Sequence, residues 1–169
     1  MRPVILVLYV LLYAAAKIRG LRAVIVDGVE AGRTEDYLDP LPPEFRPVFF
    51  MTPIPWMTDR MIELFSGVQA APPLKEEVTK IAPRPILFIS SGMGAEQFQT
   101  RKFYKNAGPT AQIWELPDVG HCQGFNAYRA EYTERMVVFF DQYLLEAYLG
   151  ACFHQIHHHR KILIRQETK

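Results

Sequence analysis

Two short apolar runs constrain this chain more than any other feature. Arg22-Ala-Val-Ile-Val-Asp27-Gly28 is β-branched and closed by Asp-Gly, and Pro85-Ile-Leu-Phe-Ile-Ser90 is apolar until its final serine. A strand with one face in water alternates apolar and polar residues, whereas an unbroken run of this length reads as a strand buried on both faces. Such strands belong to parallel sheets covered by helices, with the loops opening at their carboxyl ends. A third run, Ala111 to Leu116, completes the expectation: an α/β domain with a mostly parallel sheet of about three strands and flanking helices.

The connections agree with that frame. After the second run comes a loop with two glycines and one acid (Ser91-Gly-Met-Gly-Ala-Glu96), then a helix over Gln97 to Asn106. Ala107-Gly108-Pro109 stops that helix with a glycine and a proline. The third strand leads to Pro117-Asp118-Val119-Gly120-His121. From Tyr128 to Tyr148 the period is helical: Tyr132, Met136, Phe139, Phe140, Tyr143 and Leu144 form one stripe, and Arg129, Glu131, Glu134 and Arg135 take polar positions. This helix is expected to cover the sheet.

The amino end has two readings. Val4 to Ala16 is almost unbroken apolar, with Arg2 before it and Lys17 and Arg19 after it. As a signal peptide it would end at Ala14-Ala15-Ala16 and send the chain out of the cytoplasm or to a membrane. As a buried helix it would feed the first strand through the short Lys-Ile-Arg-Gly link, and this reading, with a cytoplasmic location, is the favoured one. The run falls short of the roughly 18 to 20 residues that a spanning helix needs.

Residues 30 to 82 read as a cap-like or loop insertion. Glu30 to Pro43 is turn-rich, and the proline-studded, aromatic stretch Phe45 to Trp56 does not read as a long regular helix. Thr58 to Phe65 is a helix with Met57, Met61, Leu64 and Phe65 on one face, which either line an apolar substrate pocket or cap the core of the sheet. Leu74 to Ile81 reads as a short helix with Leu74, Val78 and Ile81 on one side.

Composition removes some classes of function. The 169 residues carry 19 basic and 18 acidic side chains, a net charge of +1 with no long run of one sign. Nucleic acid is therefore not an expected partner, because phosphate binding needs a concentrated basic face. Cys122 and Cys152 form no Cys-x-x-Cys pair, which leaves either two reduced thiols or one disulfide and no zinc ribbon. The tail, 150–169, holds His154, His157, His158 and His159 at helical spacing, read as an incidental polar segment and not as a metal site. No metal and no cofactor is expected.

The order of strand, acid loop, helix, strand, Gly-His loop and amphipathic helix resembles the carboxyl-terminal part of an α/β-hydrolase. The resemblance is carried by Ile81-Ala-Pro-Arg-Pro-Ile-Leu-Phe-Ile-Ser-Ser-Gly92, by Leu116-Pro-Asp-Val-Gly-His121 and by the helix behind them with Phe139-Phe140, and it spans roughly Ile5 to Leu145, within a domain taken as residues 1–149. It implies that His121 is the general base, that Glu96 orients it, and that Asp27 is the runner-up acid. Members of the family cleave ester, thioester or amide bonds of small acyl substrates through an acyl-serine, with the serine in Gly-x-Ser-x-Gly at a sharp strand-to-helix turn. Ser66, Ser90 and Ser91 are the serines here, and none has that context. The expectation is thus a truncated, hydrolase-like chain that is inactive alone, the alternative being a non-catalytic binding or scaffold protein on a remnant of the fold. A three-stranded remnant would also leave an unpaired sheet edge, open to self-association.

Overall fold

The computed structural model describes residues 3–29, 33–38, 41–45 and 53–145. Helix α1 (Pro3–Lys17) leads into β1 (Val24–Asp27), and the short α2 (Thr34–Leu38) and a 3-10 turn (Pro43–Phe45) follow. Next come α3 (Ile54–Ser66), α4 (Leu74–Thr79), β2 (Ile86–Ser91), α5 (Glu96–Asn106) and β3 (Gln112–Leu116). A single turn, α6 (Gly124–Ala127), precedes α7 (Arg129–Phe140), which runs into a π-helical turn, Asp141–Leu145.

The three strands form one parallel sheet in the order β1-β2-β3. The register pairs Asp27 with Ile89 and Ser91 with Leu116, so the three strands end on the same rim. All six residues of β2 are buried. Ile86 and Phe88 face a core built with Leu12 and Ala15 of α1, Leu74 and Val78 of α4 and Phe103 of α5. Leu87 and Ile89 face a second core with Trp114, Leu116, Tyr132 and Phe139. Successive strand side chains point to opposite faces, so a central strand between two helical layers is apolar on both, as Ile86 to Ile89 are, and the polar Ser90 and Ser91 come only at its carboxyl end.

Besides this packing, one side chain fastens the end of α1 and the link that follows it. The last carbonyls of a helix lack helical partners, and the Arg84 guanidinium meets one of them and two carbonyls of the link. Nη2 donates to Ala15 O at 2.7 Å, Nη1 to Ile18 O at 2.9 Å and to Leu21 O at 3.1 Å, and Nε to Ile81 O at 3.1 Å. A cation at a helix carboxyl end also meets the favourable end of the dipole.

Three expectations need correction. The helix expected from Thr58 begins four residues earlier, at Ile54, because Pro53 and Pro55 fall at the N-cap and in the first turn of α3, where a missing N–H costs nothing; residues 46–52 of the stretch before it lie outside the described residues. The α3 apolar face does not cap the core: Phe65 is 79% and Leu64 74% exposed. The polar side of the helix makes the hydrogen bonds. Asp59 accepts from Thr34 Oγ1 at 3.3 Å, and Glu63 accepts from Ala70 N at 3.0 Å. Ile54, Met57, Met61, Ile62 and Phe65 instead line an open apolar groove. Last, Leu144 is exposed although it falls on the stripe of α7, since a π turn takes more residues per revolution and shifts the phase beyond Phe140.

Among the described residues no helix is long and apolar enough to cross a membrane. The His154–His159 tail and Cys152 lie outside the described residues.

Two outcomes are expected from denaturant unfolding. Arg84→Ala lowers stability by about 2–3 kcal/mol, since several charge-assisted bonds to carbonyls are lost at once, and Arg84→Lys recovers less than half of that. Leu64→Gln and Phe65→Gln each shift stability by no more than about 0.5 kcal/mol, whereas Phe103→Ala in the core costs about 3–5 kcal/mol.

Candidate active site

The rim where the strands end brings together the loops that follow them. Gly92 opens the loop after β2, and its N–H donates to Val119 O at 3.3 Å. A Cβ on Gly92 would lie 1.7 Å from the carbonyl oxygen of Pro117, so only glycine lets the loops after β2 and β3 approach this closely. Gly28 does the same for the loop after β1: its φ is +78°, and a Cβ there would lie 2.7 Å from His121 Cε1 and 2.9 Å from Cys122 Sγ.

Within this crossing Glu96 and His121 meet. Glu96, the first residue of α5, is 1% exposed. Its Oε2 lies 2.7 Å from His121 Nδ1. A carboxylate is an acceptor, so in a neutral imidazole this contact places the proton on Nδ1 and the lone pair on Nε2. Nε2 is buried and has no hydrogen-bond partner among the described residues. Ser91 adds two further donors to the same carboxylate, its N–H to Oε1 at 2.6 Å and its hydroxyl to Oε2 at 2.7 Å.

Asp27 sits on the same rim but does not hold the imidazole. Its Oδ2 accepts from the Tyr132 hydroxyl at 3.0 Å. Tyr132 is set there by Trp114 and Phe125, whose ring centroids each lie 5.7 Å from its own. Burial holds the Asp27 carboxyl above its ordinary value of 3.8; the Tyr132 bond opposes this, the Glu96 charge adds to it, and His121 opposes it. Burial, then the Asp27 charge, pushes the Tyr132 hydroxyl above its ordinary value. Cys122 stands in the left-handed region at φ 54°, and its Sγ lies 3.4 Å from the Asp27 carbonyl oxygen.

Of the residues singled out from the sequence, Glu96 and His121 are therefore in direct contact and Asp27 stands beside them, bound to Tyr132. Sequence reasoning did not reach Ser91 as a partner of Glu96, nor Tyr132 as more than a core residue. Position on the α7 stripe signalled that Tyr132 is buried, but not where its hydroxyl goes, 105 residues away in the chain. Among the described residues no group of three or more His, Cys, Asp or Glu is arranged to hold a metal ion.

The raised Asp27 value has a consequence for stability. The folded chain holds this proton more tightly than the unfolded chain, so stability falls as pH rises from about 3.8 through the folded-state value and stays lower above it. Asp27→Asn, which keeps an acceptor for Tyr132, is expected to melt higher than the parent chain near neutral pH. Thermal melts from about pH 3.5 to about pH 7 should show that gap closing toward the acid end.

No family model and no curated protein matches this sequence. Solved structures do match. In one crystal form, an esterase of Pyrococcus furiosus, Pf2001, is 16% identical over 80% of this chain and 50% of that chain, with a TM-score of 0.52. A second crystal form of the same esterase is 14% identical over 80% of this chain and 50% of that chain, with a TM-score of 0.51. The chain spans about half the length of the esterase chains it matches. At such identity the likeness is one of fold alone: this chain has an α/β fold similar to part of these esterase chains.

Proposed function

We propose that these 169 residues carry the acid–base part of an acyl-serine hydrolytic centre. His121 is the general base, Glu96 the group that orients it, and Asp27 a neighbouring carboxylate in the runner-up position for the acid. The observation that carries this reading is the 2.7 Å contact between His121 Nδ1 and Glu96 Oε2, which leaves Nε2 bare. A nitrogen in that state takes a proton from an attacking hydroxyl and returns it to the departing alkoxide, thiolate or amine. The substrate class is accordingly a small ester, thioester or amide, with the insertion over residues 30–82 as a cap-like segment.

The nucleophile is not among the serines of this chain. Ser90 is fully buried and Ser91 4% exposed, with the Ser91 hydroxyl committed to Glu96 on the Nδ1 side of the ring. Ser66 ends α3 and has no Gly-x-Ser-x-Gly around it. On this reading the 169 residues alone are serine-hydrolase-like and do not form an acyl-enzyme, and no cofactor or metal enters the scheme.

A fluorophosphonate probe tests this. The 169-residue chain is expected to show no labelling and no ester hydrolysis beyond that of His121→Ala. Labelling of Ser66, Ser90 or Ser91 that His121→Ala removes would overturn the assignment. Lengthened on its amino side by a segment bearing Gly-x-Ser-x-Gly, the chain is expected to label, and His121→Ala to slow labelling on the order of a thousandfold.

The outward apolar face of α3 supports a second reading, a binding or scaffold protein on the same fold. It requires a cooperatively melting chain that retains a partner in a pull-down and loses it with Leu64→Gln and Phe65→Gln. Self-association through the edge of β1, which among the described residues pairs only with β2, would appear in light scattering as a species heavier than one chain.

A further inference from the structure

We infer that Ser91 is a positioning residue, a clamp whose backbone N–H and hydroxyl grip both oxygens of the Glu96 carboxylate and hold Oε2 toward Nδ1 of His121. The inference rests on the acid–base reading of Glu96 and His121 given above.

Three donors converge on this carboxylate. Ser91 N–H reaches Oε1 at 2.6 Å, Ser91 Oγ reaches Oε2 at 2.7 Å, and His121 Nδ1 reaches the same Oε2 at 2.7 Å. The serine hydroxyl also accepts the Met93 N–H at 3.3 Å, which turns its own hydrogen toward Glu96. Ser91 is 4% and Glu96 1% exposed, so solvent does not stand in for a lost donor.

A clamp is needed because the acid is a glutamate. Its side chain has one more rotatable bond than an aspartate, and each free rotor left in the site lowers the share of time the carboxylate faces the ring. Binding both oxygens from one residue fixes the terminal torsion. Ser91 is suited to this because it is the last residue of β2, with its backbone held in register against Leu116. Glu96, by contrast, hangs from the end of a loop through Gly92 and Gly94. The clamp refers the acid to the sheet and not to that loop.

The test reads the Nδ1 proton of His121 by NMR in the folded, nitrogen-15-labelled chain, so it needs no catalytic turnover. In Ser91→Ala and Ser91→Cys, exchange of that proton with water is expected to speed up about fivefold to tenfold. Ser91→Thr, which keeps the hydroxyl, should stay within about twofold of the parent chain. Cysteine nearly preserves the volume while its thiol donates weakly, so it carries the test should the alanine variant fold poorly. General loosening would speed exchange of the β2 amides as well, whereas loss of the clamp acts on the imidazole proton alone. If Ser91→Ala and Ser91→Cys protect the proton as well as the parent chain while Glu96→Ala, which leaves no acceptor, loses its resonance, the clamp is wrong and the acid–base reading stands. If Glu96→Ala keeps the resonance unchanged, Glu96 does not orient His121 and both fall.

Discussion

A carboxylate with almost no access to water is unfavourable unless donors replace the water it gave up. Glu96 is that carboxylate, and the end of the sheet is arranged around satisfying it. One donor is the backbone of Ser91, one its hydroxyl, and one the imidazole of His121. The first two come from the end of β2 and the third from the loop after β3, so meeting the demand of one side chain joins two βα connections. Close approach of those connections requires glycine at position 92, where any side chain would enter the Pro117 carbonyl, and at position 28, where one would displace the His121 ring. Strand register, loop glycines and the histidine tautomer thus form one problem with one solution.

A second buried carboxylate plays a structural part away from the rim. Asp36 is 0% exposed and accepts the N–H groups of Leu74 and Lys75 at the start of α4. Orphan donors and the positive end of the helix dipole favour an anion there. Lys102 of α5 stands 3.9 Å from Asp36 Oδ1 and donates to its backbone carbonyl at 3.0 Å. Gln99 of the same helix donates to Tyr37 O at 2.6 Å. Helix α5 therefore presents Glu96 to the rim and, one and two turns on, fastens the segment after β1 to the body. The helix that carries the acid is thus also fastened along its first two turns.

Helix α3 shows how far apolar content is from burial. Its sequence offers methionine, isoleucine, leucine and phenylalanine at helical spacing, the usual mark of a core-facing element. In the fold the apolar side chains face out, while Asp59 accepts from Thr34 of α2 and Glu63 from Ala70 in the loop after α3. Periodicity says which residues share a face; it does not say which face turns inward when both have something to gain.

The sequence by itself determined the three strands and most of the helices between them, because local chemistry is enough for this: unbroken apolar runs specify doubly buried strands, and glycine with proline after Asn106 ends α5. Glu96 and His121 were singled out by the resemblance to the α/β-hydrolase pattern and not by local chemistry. Tertiary structure alone decided that Glu96, and not Asp27, reaches His121. It also decided that Ser91 is a donor to an acid, that Tyr132 is a partner of Asp27, and that Arg84 closes α1. Each of these is a hydrogen bond whose worth depends on burial and on a distance of a few tenths of an ångström, and neither quantity is encoded in the spacing of residues along a chain.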